Sequence, residues 1–386
     1  MHVLPGIRLK ALREERKLSQ DDLARVFGFK DRQTVSAIET GERKLSVEEL
    51  LTAVEKLGAS LDYFTDPFRL IGEGKFSWRH SGVDLQRLDA FERSAGRWIA
   101  AYRTLAPQVG RPIPLLRRTL GLTLRTSVEE VTAAGERFAA EFNLGEVPSA
   151  RLVKAMEREL GILVLMVDAI KGASAAVCRL PALDTVLINR RQAQARRHFD
   201  LAHELFHILT WDAMPPKHME DVSVQSKDRV EQLANNFAFA LLMPATVLDR
   251  FGPWDQDPLN RLSEAANTLS IPVPVLKERL VGLGRLDRTI ASVLPDVAFQ
   301  NHGHAPRAGE PARRSLTRRF PVMLQRASET VEAPPPLFSR QFLEVVADAI
   351  RDGRVSARRV ADLLDMTLDD FADLCMMHGL ETPFDL

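Results

Sequence analysis

Two histidines four residues apart, with a glutamate between them, constrain this chain most: His203-Glu204-Leu205-Phe206-His207. Four residues is about one helical turn, so on a helix both imidazoles leave the same face and can reach a single zinc ion, with Glu204 beside them. Zinc needs a third protein ligand and keeps one position for water. A helical stretch at residues 231–244 offers one, because Glu231, Ala234, Asn235 and Ala238 share a face and the two alanines permit close approach. The plain alternative is an amphipathic helix that carries two surface histidines.

Composition excludes several classes. The 386 residues suffice for two or three domains, and 45% hydrophobic with 27% charged residues is the balance of an ordinary globular protein. Lysine plus arginine equals aspartate plus glutamate at 52 each, so any nucleic-acid binding must come from local placement. Two cysteines, Cys178 and Cys375, build no disulfide framework, which fits a reducing compartment. No run approaches the roughly 20 apolar residues of a membrane span, and no basic-then-apolar leader is present. The expectation is a cytoplasmic protein with no membrane partner.

The overall expectation is a mainly α chain with a small β-sheet. Residues 1–68 read as an all-α domain with helices at 7–16, 20–27, 32–40 and 47–57 and a closing turn near Asp62. Ser19 and Ser46 are placed to cap helices, and Gly28, Gly41 and Gly58 to end them. Residues 69–145 read as a helical connector, and 146–300 as an α+β domain with strands at 162–167 and 185–188. Residues 301–338 read as a basic, proline-rich linker, residues 301–320 setting Arg307, Arg313, Arg314, Arg318 and Arg319 against Glu310. Residues 339–386 read as a C-terminal helical module.

The segment from His198 to the second motif histidine, preceded by Val186-Leu187-Ile188-Asn189 and followed by residues 231–244, resembles the ImmA/IrrE metallopeptidase family over about residues 146–290. The resemblance implies a gluzincin-like zinc site of His203, His207 and Glu231, with Glu204 as general base, in an enzyme either active or held latent. It also implies a peptidase that inactivates a transcriptional repressor under DNA-damage or phage-related stress. With only Tyr63 and Tyr102 in the chain, no tyrosine lies near the motifs to steady an oxyanion. His198 and His218 are candidates, each weighed against a structural or surface histidine. Asp200, one turn before Glu204, is either a partner for a ligand imidazole or a solvated charge. Cys178 reads as a small buried hydrophobe.

Leu18 to Phe29 followed by Arg32 to Gly41 resembles the lambda-repressor-like (XRE) helix-turn-helix family over residues 7–66. The resemblance implies that the helix at 32–40 enters the major groove while Gln20 anchors to phosphate. Arg32, Gln33, Thr34 and Ser36 are polar donors at that helix's start, with Gln33 suited to adenine and Arg32 to guanine or phosphate. Residues 1–68 hold eleven basic and twelve acidic residues, so affinity rests on placing Arg8, Lys10, Arg13, Lys30, Arg43 and Lys44 toward DNA. Lys30-Asp31 lengthens the turn by one residue relative to the usual pattern.

Together these readings give a transcriptional regulator that binds a double-stranded operator, as a homodimer, and joins it to a zinc peptidase. Its substrate would be a partner repressor or its own linker, with single-stranded DNA a candidate activator. Two alternatives stand beside it: a non-catalytic repressor with a metal-bearing sensory domain, and a toxin–antitoxin or phage-defence regulator.

Overall fold

The computed structural model describes residues 4–112, 117–221, 228–294 and 333–385. The chain is mainly α with a small sheet and divides into two compact units, one of residues 1–75, 89–113 and 344–386, the other of residues 76–88 and 114–343. Among the described residues no helix is long and apolar enough to cross a membrane. The basic run Arg307 to Arg319 lies outside them.

In the first unit, helices Leu4–Glu15, Gln20–Phe27, Arg32–Thr40, Val47–Leu57 and Leu61–Thr65 close over Leu9, Leu12, Leu23, Val35, Ile38, Leu57 and Phe64. Their limits follow local chemistry. Ser19 and Ser46 each accept from a backbone N–H three residues on and receive a carboxylate back, from Asp22 and Glu49 respectively. Asp31 caps Arg32–Thr40 by accepting from Gln33 N and Thr34 N, so the last residue of the longer turn starts the helix. Gly28 and Gly41 end their helices at φ 70° and 83°. Helices Arg340–Arg351, Ala357–Leu364 and Leu368–Met377 bring the C-terminal segment into this unit, where Arg111 binds Glu344 and Asp348, and Arg97 binds Asp365.

The second unit holds a five-stranded sheet: β1 (Lys75–His80), β2 (Leu163–Val167), β3 (Ala173–Arg179), β4 (Asp184–Asn189) and β5 (Met219–Asp221), in the order β2-β4-β3-β1-β5. β2 and β4 run parallel, β3 antiparallel to β4, and β1 parallel to β5. Sequence reasoning expected β2 and β4 alone. β1 falls in the stretch read as a helical connector, and its placement is a correction: Lys-Phe-Ser-Trp-Arg-His has no run of β-branched residues and is extended through its neighbours in the sheet. Cys178 is fully buried in β3, as a small hydrophobe would be.

Helix Gln194–Leu209 lies against β3 and β4, and every residue from Phe199 to Leu209 is buried. A helix buried on every face, its charged and imidazole groups included, is not the amphipathic surface helix of the plain alternative. Helix Arg229–Leu242 packs on it and on helix Val128–Glu141. The latter contact is close at Gly135, where a Cβ would meet Phe237 O at 2.6 Å and Ala240 Cβ at 3.0 Å. Glycine there is what lets the two helices touch backbone to backbone.

Candidate metal centre and nucleic-acid interface

His203 and His207 project from helix Gln194–Leu209 toward Glu231 in the first turn of helix Arg229–Leu242. His203 Nε2 lies 3.4 Å from Glu231 Oε2, His207 Nε2 3.2 Å from Glu231 Oε1, and the two Nε2 atoms 3.0 Å apart. Ligand atoms about 2.0–2.1 Å from one tetrahedral ion lie roughly 3.3 Å from each other, so this spacing fits zinc. Among the described residues these three form the one group of three or more His, Cys, Asp or Glu side chains close enough to share an ion.

Hydrogen bonding sets the imidazole orientation. His203 Nδ1 lies 3.0 Å from Asn235 Oδ1, an acceptor, so Nδ1 carries the proton and Nε2 offers its lone pair to the cluster. Asn235 stands four residues after Glu231, on the face that sequence spacing had already grouped with it.

Burial controls the charges. Burial, with Arg79 nearby, holds the His203 imidazole down to about 4, so it is neutral at physiological pH. Burial alone would raise the Glu231 carboxyl; His203, His207 and Arg79 together outweigh it and hold the group well below the usual carboxylate range. A neutral His203 imidazole beside a carboxylate is the protonation state that metal binding requires of those two groups. Glu204 is pushed up to about 8 by burial, opposed by Arg79 and reinforced by Asp200 and Glu231.

Arg79 is the residue that sequence reasoning missed. It sits on β1, is 3% exposed, and extends its guanidinium into the cluster. Its Nη1 hydrogen-bonds His203 Nε2 and lies 3.4 Å from Glu231 Oε2, while its Nε is 3.5 Å from Asp200 Oδ1. Asp200 is therefore neither a solvated charge nor an imidazole partner: it is fully buried between Arg79 and Arg196, whose Nε lies 2.8 Å away. Burial, with Arg197 adding to it, holds the half-buried His198 down to about 4, and His218 is exposed. Neither belongs to the three-donor cluster.

In the first unit, Arg32 and Gln33 are exposed at the start of helix Arg32–Thr40, Thr34 and Ser36 are half-buried, and Val35 and Ile38 point into the core. Lys10, Lys30 and Lys44 are exposed. Gln20 donates to Glu39 Oε2 at 2.9 Å, and Arg43, also exposed, pairs with Glu49 at 2.6 Å and lies over the Phe29 ring. Arg13 holds Glu39 at 2.6 Å. The expectation that Arg8 faces DNA is corrected: it is fully buried and donates to the carbonyls of Tyr63, Asp66 and Arg69 and to Glu73.

Comparison with known families agrees with this division. No curated protein and no solved structure matches the chain. Two family models do: a helix-turn-helix model matches residues 9–64 and the model of the IrrE N-terminal-like domain, a peptidase family, matches residues 157–280.

Proposed function

We propose that the chain is a DNA-binding regulator whose second unit is a zinc peptidase. The observation that carries this reading is the convergence of His203, His207 and Glu231, from two helices, with donor spacings of 3.0–3.4 Å and Glu204 next to a ligand in sequence. Zinc in such a centre polarises a carbonyl and lowers the pKa of bound water to about 7. The chain's own residues do the rest. His203, His207 and Glu231 would hold the ion, Asn235 fixes the His203 ring, and Glu204, its carboxyl brought below its metal-free value of about 8 by the ion's charge, would take the proton from the attacking water and pass it to the leaving amine.

On the DNA side, Arg32, Gln33, Thr34 and Ser36 read base edges from the major groove, while Gln20, Arg43 and Lys44 position the backbone. Weak charge bias over residues 1–68 makes a dimer on a two-fold operator the economical arrangement. In domain terms, residues 1–68 read DNA, 69–145 connect, 146–300 cleave, 301–338 link and 339–386 form a C-terminal module. The substrate is a repressor bound nearby or the chain's own linker, since tethering raises the effective concentration of such a peptide. The setting is a stress response in the cytoplasm, with single-stranded DNA as a candidate activator.

The test is Glu204→Gln. Wild type and variant are incubated with zinc and a co-expressed neighbouring repressor, with and without single-stranded DNA, and fragments are read by mass spectrometry. The variant is expected to keep zinc and DNA binding and to lose cleavage; cleavage undiminished in the variant would sink the assignment.

A further inference from the structure

We infer that Arg79 is an internal counter-cation that keeps the metal centre closed, so that its guanidinium and a divalent ion compete for the same donors. The inference rests on the reading of His203, His207 and Glu231 as metal ligands, and adds a control that their identities alone do not contain.

The argument is one of lone pairs. With Nδ1 of His203 facing the Asn235 carbonyl oxygen at 3.0 Å, its Nε2 has a single lone pair to give. That lone pair accepts the hydrogen bond from Arg79 Nη1. A metal ion bound by His203 needs the same electrons, so the two states are exclusive at this atom. The same Nη1 lies 3.4 Å from Glu231 Oε2, so the guanidinium also faces a second of the three donors.

Charge reinforces the exclusion. A guanidinium stays protonated at any physiological pH, and with Arg79 3% exposed water screens it poorly from a dication placed a few ångströms away. The reverse also holds: without metal, an unaccompanied buried carboxylate at Glu231 would be costly, and Arg79 offsets that cost. Asp200 provides the pivot. It meets Arg79 Nε at 3.5 Å, so Nη1 can leave His203 while the side chain stays paired, and the Phe199 ring lies 5.9 Å beneath the guanidinium carbon. A centre built in this way is complete in its ligands and yet latent, and loads when Arg79 withdraws.

The experiment measures zinc affinity of the full-length chain at neutral pH by competition with a chromogenic chelator, in wild type, Arg79→Met, Arg79→Gln and His207→Ala. Folding of each is checked by thermal melting. The two Arg79 variants are expected to bind zinc at least about tenfold tighter than wild type, or about 1.4 kcal/mol, and His207→Ala to bind far more weakly. Affinity equal to or below wild type in a folded Arg79 variant overturns the inference and leaves the metal centre intact. If wild type and His207→Ala bind zinc equally poorly and the Arg79 variants do no better, the metal reading itself fails and this one with it. A second readout needs no variant: the side-chain nitrogen resonances of Arg79 in the wild type should move as zinc is titrated, and signals unchanged at saturation contradict the competition.

Discussion

Each unit of the molecule buries an arginine, and the two are used in opposite ways. Arg8, in the DNA-reading unit, donates to three backbone carbonyls and to Glu73, which Arg103 also holds. Its partners are three backbone carbonyls and a carboxylate from one short stretch of chain, so it acts as a staple. Arg79, in the other unit, donates to His203 and faces Glu231, two groups that the proposed function also uses as metal ligands. Burial and charge are nearly the same in both; what separates a structural ion from a regulatory one is whether its partners have another cation to choose.

That contrast can be broken at either end. The largest stability effect is expected at Arg8→Met, which strands three part-buried carbonyls and the buried Glu73 carboxylate and should cost on the order of 3 kcal/mol without altering zinc affinity. Chemical denaturation alongside zinc titration checks both halves, and a change in zinc affinity would erase the distinction. Asn235→Ala should lower zinc affinity about 10- to 100-fold, roughly 1.4–2.8 kcal/mol, because His203 loses the partner that orients its ring. Chelator competition reads that loss, and unchanged affinity would deny Asn235 its role.

The smallest effect is the pH dependence of the metal-free protein. His203 and His198 are held down to about 4 from an ordinary 6.5, so the fold favours their neutral forms, and the stability they contribute is lost as pH falls from 6.5 toward 4. Glu204, raised to about 8 from 4.5, acts with the opposite sign and stabilises as pH falls from 8 toward 4.5. Two imidazoles outweigh one carboxyl below 6.5, while the carboxyl acts alone above it. Metal-free thermal melts should therefore peak near pH 6.5 and decline by several degrees toward pH 4. A profile that rises steadily into acid would show that the carboxyl dominates instead.

What was legible in the sequence follows the range of the interaction that determines each feature. Helices Gln20–Phe27, Arg32–Thr40 and Val47–Leu57 agree with their sequence limits because caps, left-handed glycines and apolar spacing act within a few residues. The motif histidines and Glu231 were legible for the same reason: each spacing is a helical one. β3 was not, since Ala-Ser-Ala-Ala-Val-Cys-Arg is rich in alanine and is extended only by its partner strands. Arg79 was not, because it stands 124 residues from His203 in a segment with no local mark of function. Arg8 had a signal that went unused: it lies four residues before Leu12, on the inward face of its helix.

Gly135 stands far along the chain from the donor cluster, yet its missing side chain sets how closely helix Val128–Glu141 approaches Phe237 and Ala240 on the helix that also carries Glu231. Under the proposed function, the seat of the helix that supplies Glu231 thus rests in part on a neighbour that takes no part in the chemistry. Drift at position 135 could detune cofactor retention while every ligand stayed unchanged, and a motif search of such a descendant would still report an intact enzyme.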